Sequence, residues 1–556
     1  MARALPLLAL LLTHNLASSF PQHHYTDYVL GGELVSGGGA GGTTTGIGSS
    51  GTGGTGTGAG EQRFTCPEPT TTTSDCTCMY ASSDYEIQCP VINPEITVKI
   101  KPGIYAQIQC YEKQEFSDLP TLNVGNTTQV KIIHCPLPQR QSIKQFIKFL
   151  GVNHVKDFWY QNYGKDFGVR LIRQHFEGMH DLEKLFLSSG IEDIQPDLFA
   201  DLPNLKWLIL RSNHVKLLHN VFDNLTNLII LELGANQITE LEPGLFKNQR
   251  KLRHLNLWRN QLRNISKESF RGAETLQELD LSVNAIETLN SDVFTLLPDL
   301  TVLNLGFNRF TVLPDNLLSE NRKLREFKFI NNQAPLQTLP EAFLGNLPQL
   351  KSVILNRCSF THLPASLFRG SSEITHMDLS YNQLGSVPEL LLRDQLRLQD
   401  LNLAYNELES LPEHLLENTR ELLTLRLSYN RLYNLSANIF ASLDKLTELH
   451  LNDNFLHAID RLTFSNTKAL GKLYMQNNHL SFHDFSFVLQ EQDIADTDGT
   501  PFQYLENLQI LNLRNNSITT IFRDWNYNNL HLRELDLSYN NISTLSYLSL
   551  QMSASI

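Results

Sequence analysis

The chain of 556 residues carries 45 basic and 58 acidic side chains, a net charge of -13, with 41% apolar residues. That acidic balance opposes the phosphates of nucleic acid, so no nucleic acid partner is expected. The apolar share is large enough for a continuous core, which excludes a chain that stays unfolded along its whole length.

In chain order, Arg3, the apolar run at residues 5–12 and the small residues Ala17, Ser18 and Ser19 form the three parts of a secretory signal peptide. Residues 1–19 are therefore predicted to be removed, leaving a mature chain that starts near Phe20. Residues 20–63 read as a flexible Gly/Ser/Thr-rich linker: half of residues 31–60 are glycine, with too few apolar groups to offset the entropy of ordering. Gly46, Gly48 and Gly51 match the dinucleotide-binding pattern G-x-G-x-x-G by letter, but no strand precedes them and no helix follows. No cofactor is expected.

Six of the seven cysteines, Cys66, Cys76, Cys78, Cys89, Cys110 and Cys135, fall in residues 64–150. An even cluster in a secreted chain reads as disulfides. The Cys-x-Cys centre favours interleaved bridges, Cys66 to Cys78 and Cys76 to Cys89, leaving Cys110 for Cys135; adjacent pairing within the first four stays open. Zinc ligands usually stand in pairs at C-x(2-4)-C spacing, which is missing here, so no metal site is assigned. Apolar runs at residues 98–100, 105–108 and 130–133 alternate with turn signals and predict strands in an N-terminal cap. Residues 142–150 predict a short helix.

Residues 151–181 form an irregular first unit, with Val155, Phe158, Tyr160 and Tyr163 at the frame positions and Phe176 closing the turn. From residue 182 to 556 the chain repeats the frame L-x-x-L-x-L-x-x-N-x-L, with an apolar residue ten positions after the asparagine, as in residues 252–270, LRHLNLWRNQLRNISKESF. The asparagine position recurs from Gly190 through Asn213, Asn236 and Asn260 to Asn516 and Asn540, mostly at intervals of 23 or 24 residues. No such unit can bury its leucines alone, so neighbours must stack. The predicted fold is an α/β leucine-rich-repeat solenoid, a curved horseshoe with a parallel β-sheet on its concave face. An asparagine amide donates and accepts at once, so it is expected to form a ladder from coil to coil. Cys358 takes that position once and is read as structural. An insertion at about residues 484–505 loops out, and no cysteine-rich cap closes the C-terminal end.

Six N-x-S/T triplets, at Asn126, Asn224, Asn264, Asn434, Asn515 and Asn541, are glycosylation signals that require exposure if used. Beyond the signal segment no run of about eighteen apolar residues is present, so no membrane span is expected in this chain.

Between the inward leucines, three positions per repeat point out from the concave face. In the early repeats these carry Lys184, Phe186 and Ser188, then Trp207, Ile209 and Arg211, then Ile230 and Glu232, then His254 and Trp258; from Glu278 onward they turn mostly polar. Aromatic groups beside cationic ones are what protein-binding hot spots use. Phe186, Trp207, Ile209, Arg211, Ile230, His254 and Trp258 are therefore the predicted ligand-binding residues. The alternative is that the cysteine-rich cap folds over Phe186 and Trp207. No metalloprotease, nucleophile-elbow or P-loop motif stands in a suitable context, and no catalytic residues are assigned.

Residues 84–90 (DYEIQCP), 255–264 (LNLWRNQLRN), 332–343 (NQAPLQTLPEAF) and above all 511–543, LNLRNNSITTIFRDWNYNNLHLRELDLSYNNIS, closely resemble the extracellular part of insect Toll receptors. The resemblance covers roughly residues 64–545, including the cysteine spacing and the insertion before Asn516, and leaves out the glycine-rich linker. It implies a receptor, non-enzymatic and exposed outside the cell, whose ligand is a processed, dimeric cystine-knot cytokine of the Spätzle type. It also implies engagement at the cap and early repeats, and receptor dimerisation on ligand binding. The full-length receptors are single-pass plasma-membrane proteins. Here the chain ends in SYLSLQMSASI without the C-terminal cap, transmembrane helix or TIR domain of that family. A receptor fragment is the leading expectation, beside a secreted decoy and an adhesion or matrix repeat protein.

Overall fold

Strands β1 (Thr77–Ala81), β2 (Asp84–Cys89), β3 (Ile96–Lys101) and β4 (Tyr105–Cys110) run antiparallel, and β5 (Gln129–Ile133) then joins β4 in parallel. Alternation buries Ala106, Ile108 and Cys110 of β4 and Val130 and Ile132 of β5 on one side. The Cys110–Cys135 disulfide ties the end of β4 to the residues after β5, with Cα atoms 5.0 Å apart. Helix α1 (Ile143–Phe146) starts at Ser142, whose hydroxyl accepts from the Gln145 amide, and a 3-10 turn, Ile147–Leu150, continues it.

This computed structural model describes residues 77–81, 84–89, 96–101, 103–110, 127–137, 141–162, 169–216, 219–482, 500–519, 521 and 531–543. The predicted signal segment and linker, Cys66, Cys76, Asn126, Tyr163, most of the insertion and the chain end lie outside them, and Cys78 and Cys89 are described by backbone alone.

From β6 (Asp157–Gln161) onward every neighbour is parallel. β8 (Lys184–Ser188) follows β6 directly, because β7 (Val169–Leu171) and β9 (Ile191–Ile194) pair with each other in a separate two-stranded sheet. Then β10 (Trp207–Ile209), β11 (Ile230–Glu232), β12 (His254–Asn256), β13 (Glu278–Asp280), β14 (Val302–Asn304) and their successors to β21 (Lys472–Tyr474), β22 (Ile510–Asn512) and β23 (Glu534–Asp536) add one strand per coil. Among the described residues the main sheet holds 21 strands. In β10 to β13 the middle leucine is buried and sits beside its counterpart in the next coil. Each fully buried leucine contributes roughly 2 kcal/mol of transfer free energy, so the stack gains stability coil by coil.

The apolar residue after each turn builds a second seam. Phe176, Phe199, Phe222 and Phe246 follow one another with ring centroids 6.4, 6.4 and 6.1 Å apart. Between the two seams runs the asparagine ladder. Asn260 donates to Leu233 O and Leu257 O, both at 3.0 Å, and accepts from the Ile238 amide at 3.1 Å, so one side chain satisfies backbone groups of its own coil and the previous one. Cys358 does the same work differently: its amide donates to Asn382 Oδ1 at 2.9 Å and its thiol to Phe329 O at 2.9 Å. The insertion leaves the ladder intact, since Asn516 Oδ1 accepts from the Leu480 amide at 3.0 Å across 36 residues of sequence.

Leaving the strand for this turn requires a left-handed residue just before the ladder position. Ser212, Ala235, Arg259, Val283 and Phe307 all take φ between 54° and 58°. A side chain there costs roughly 1–2 kcal/mol, offset by the amide pairs such as Arg259 N to Ser282 O at 2.9 Å.

Candidate ligand-binding surface

Register sorts the concave side chains into three rows that cross the strands. The first runs Asp157, Lys184, Trp207, Ile230, His254, Glu278, and the second Gln107, Lys131, Trp159, Phe186, Ile209, Glu232, Asn256, Asp280. The third, one step beyond each short strand, holds Arg211, Gly234 and Trp258.

Trp159 lies flat against Phe186 with centroids 3.7 Å apart and planes 14° from parallel. On its other flank the Lys131 ammonium stands 5.1 Å from the Trp159 ring and 4.5 Å from that of Tyr105. Lys184 spans the first row, 3.5 Å from Asp157 and 4.7 Å above the Trp207 ring. Burial pulls the Lys131 pKa down and pushes that of Asp157 up, the latter opposed by Lys184. The N-terminal end of the face thus joins aromatic planes to cations, contacts that strengthen as water leaves.

Two of the predicted contact residues are not free. Phe186 is 7% exposed and Ile209 8%. Phe186 is covered by Trp159, which belongs to the irregular unit rather than the cysteine-rich cap, and Ile209 is walled in between Phe186 and Glu232 on adjacent strands. Trp207, Ile230 and His254 are half-buried, whereas Arg211 is exposed and Trp258 is 39% exposed. His254 pairs with Glu278 at 3.1 Å. Trp159, Lys131 and Tyr105 extend the face beyond the predicted set; the alternation Phe158-Trp159-Tyr160 is the signal that marks Trp159 as outward.

Toward the middle coils the face becomes acidic and amide-rich. Burial raises the Glu232 carboxyl to about 7 against the opposing pull of Arg211, and Asp280 is also raised by burial while it accepts from the amide and hydroxyl of Ser282 and from Asn304. Asn224, Asn264, Asn434, Asn515 and Asn541 are all exposed. No helix among the described residues is long and apolar enough to cross a membrane.

The Leucine rich repeat family model matches residues 170–215, 216–262, 250–310, 348–408, 396–454, 420–480, 486–542 and 506–555. Protein toll of Drosophila melanogaster is 48% identical over 480 residues, 85% of this chain and 43% of that protein. A chain from the solved Drosophila Toll–Spätzle complex superposes with a TM-score of 0.76 at 34% identity, over 85% of this chain and 63% of that one. Its glycosylated form gives the same score. A leucine-rich-repeat protein of Leptospira interrogans shares the fold alone, with a TM-score of 0.53 at 23% identity over 71% of this chain and 86% of that one. The chain spans less than half the length of Protein toll and under two thirds of the chains solved in the complex. On the repeats, the sheet they build and these matches, it belongs to the leucine-rich-repeat family and is a homologue of the Toll receptors.

Proposed function

We propose that this chain is the ligand-binding ectodomain part of a Toll-type receptor, acting outside the cell and binding a processed, dimeric cystine-knot cytokine of the Spätzle class without enzymatic chemistry. The observation that carries the reading is the N-terminal concave face, where Trp207 and Trp258 remain partly open beside Lys184 and Arg259 over a base of stacked Trp159 and Phe186. Burying two such indoles against a partner removes apolar area worth about 25 cal/mol per Å2, enough for hot spots at the centre of an interface. Homology to Toll and likeness to a chain of the Toll–Spätzle complex support the choice of ligand class.

The test is binding of the purified chain from residue 20 to a processed cystine-knot dimer and to its unprocessed precursor, read by calorimetry. Saturable binding of the processed form that Trp207→Ser and Trp258→Ser weaken supports the reading. No binding, or binding indifferent to both substitutions, overturns it.

A further inference from the structure

The left-handed position before each ladder residue lines up a row of side chains along one edge of the solenoid. In the middle coils that row is Arg357, Tyr381, Tyr405, Tyr429 and Asp453, with φ between 54° and 58°. The three rings stack face to face, Tyr381 on Tyr405 at 4.1 Å and Tyr405 on Tyr429 at 4.2 Å, and the Arg357 guanidinium covers the open face of Tyr381 at 4.0 Å. Each tyrosine remains 38–44% exposed. At the other end Asp453 is held by the side-chain amides of Asn452 at 2.7 Å and Asn477 at 2.8 Å. Among the described residues neither Arg357 nor Asp453 has an oppositely charged side chain paired with it.

Stacking takes up both faces of Tyr381 and Tyr405 and one face of Tyr429, so what this edge presents is mainly a stripe of ring edges and hydroxyls with a cation at one end and an anion at the other. The order is symmetric in position and opposite in charge about Tyr405. A half-turn about an axis through Tyr405 therefore sets Arg357 against Asp453 of a second copy, twice, and Tyr381 against Tyr429 of that copy, the self-complementary arrangement that a two-fold interface requires. We propose that this stripe is a self-association surface that joins two copies of the chain in antiparallel fashion about Tyr405.

Tyr433 and Phe455, 49% and 48% exposed, follow the stripe within four residues and add apolar area beside it. The contact is small compared with the roughly 800 Å2 that each partner buries in a standard interface. It is therefore weak in free solution and becomes populated when copies are held near one another, where a high effective concentration replaces affinity.

Sedimentation velocity of the chain from residue 20, without cytokine, from low micromolar to sub-millimolar concentration, tests this independently of the ligand reading. The unchanged chain shows reversible, concentration-dependent dimers. Arg357→Asp and Asp453→Arg each place like charges at both contacts and weaken association by about tenfold or more. An equimolar mixture of the two variants restores the dimer, because every contact then pairs opposite charges, and the double reversal in one chain restores it too. Thermal melting of each variant verifies folding, and recovery in the mixture shows that loss of the amide contacts of Asp453 is not the cause. A chain that stays monomeric throughout, single reversals that leave association unchanged, or a mixture that stays monomeric overturns the proposal.

Discussion

Gly234 lies against the indole of Trp258 in the next coil: a Cβ on Gly234 would stand 3.4 Å from Trp258 Cε3 and 3.3 Å from its carbonyl oxygen. The glycine therefore makes the seat in which Trp258 rests, and Trp258 N donates to Asn256 Oδ1 at 2.8 Å to complete it. Gly234→Val is expected to tilt the indole without unfolding the coil. Trp258 fluorescence should shift and cytokine affinity should fall by roughly tenfold, on the scale of removing a hot-spot side chain. Unchanged affinity would place Trp258 outside the binding face.

Phe186 and Trp258 should behave as opposites although both occupy concave frame positions. Phe186→Ser removes the ring on which Trp159 rests and is expected to cost about 3 kcal/mol, seen as a lower denaturant midpoint. Trp258→Ser should leave that midpoint nearly unchanged, within about 0.5 kcal/mol, while weakening ligand binding.

Asn308 is fully buried, donates to Leu281 O, Leu305 O and Gly306 O, and accepts from the Ile286 amide. Asn308→Ala leaves those groups without partners in a place water does not reach. The expected cost is about 2–4 kcal/mol, with hydrogen exchange of the Ile286 amide accelerated more than that of coils far along the stack.

Glu232 gives a pH dependence of defined sign. Its folded pKa of about 7 lies above the unfolded value of 4.5, so the folded state holds the extra proton between those limits. The associated stability is complete below pH 4.5 and is lost as pH rises through 7. Relative to Glu232→Gln, the parent chain should lose up to about 3 kcal/mol across that window. A stability difference that does not vary with pH would show that Glu232 is solvated in the folded state.

Burial pushes the Cys358 thiol up to about 12, and its hydrogen goes to Phe329 O. Native protein should leave the Cys358 peptide unmodified by iodoacetamide at neutral pH, with modification appearing only on unfolding, as read by mass spectrometry.

The repeats were legible because burial in a solenoid is local: each coil meets only its neighbours, so the leucines, the asparagine position and even the structural role of Cys358 follow from the period. The concave face was legible only in part. Alternation along a strand tells which side chains leave the core, yet it treats Phe186 and Trp258 alike. Trp159 belongs to a unit that departs from the leucine frame, so the frame does not mark it, although it stands between the inward Phe158 and Tyr160.

The coil, its ladder and the direction in which each side chain leaves the strand follow from spacing within one repeat and can be read from the residues alone. Which outward groups stay free depends on how neighbouring coils pack. Phe186 is closed by Trp159, 27 positions earlier, Trp258 is seated by the bare backbone of Gly234, 24 positions earlier, and three tyrosines 24 residues apart become one stack. Such coverage depends on the size of the neighbour across the sheet, a quantity that the repeating pattern of any single coil does not contain.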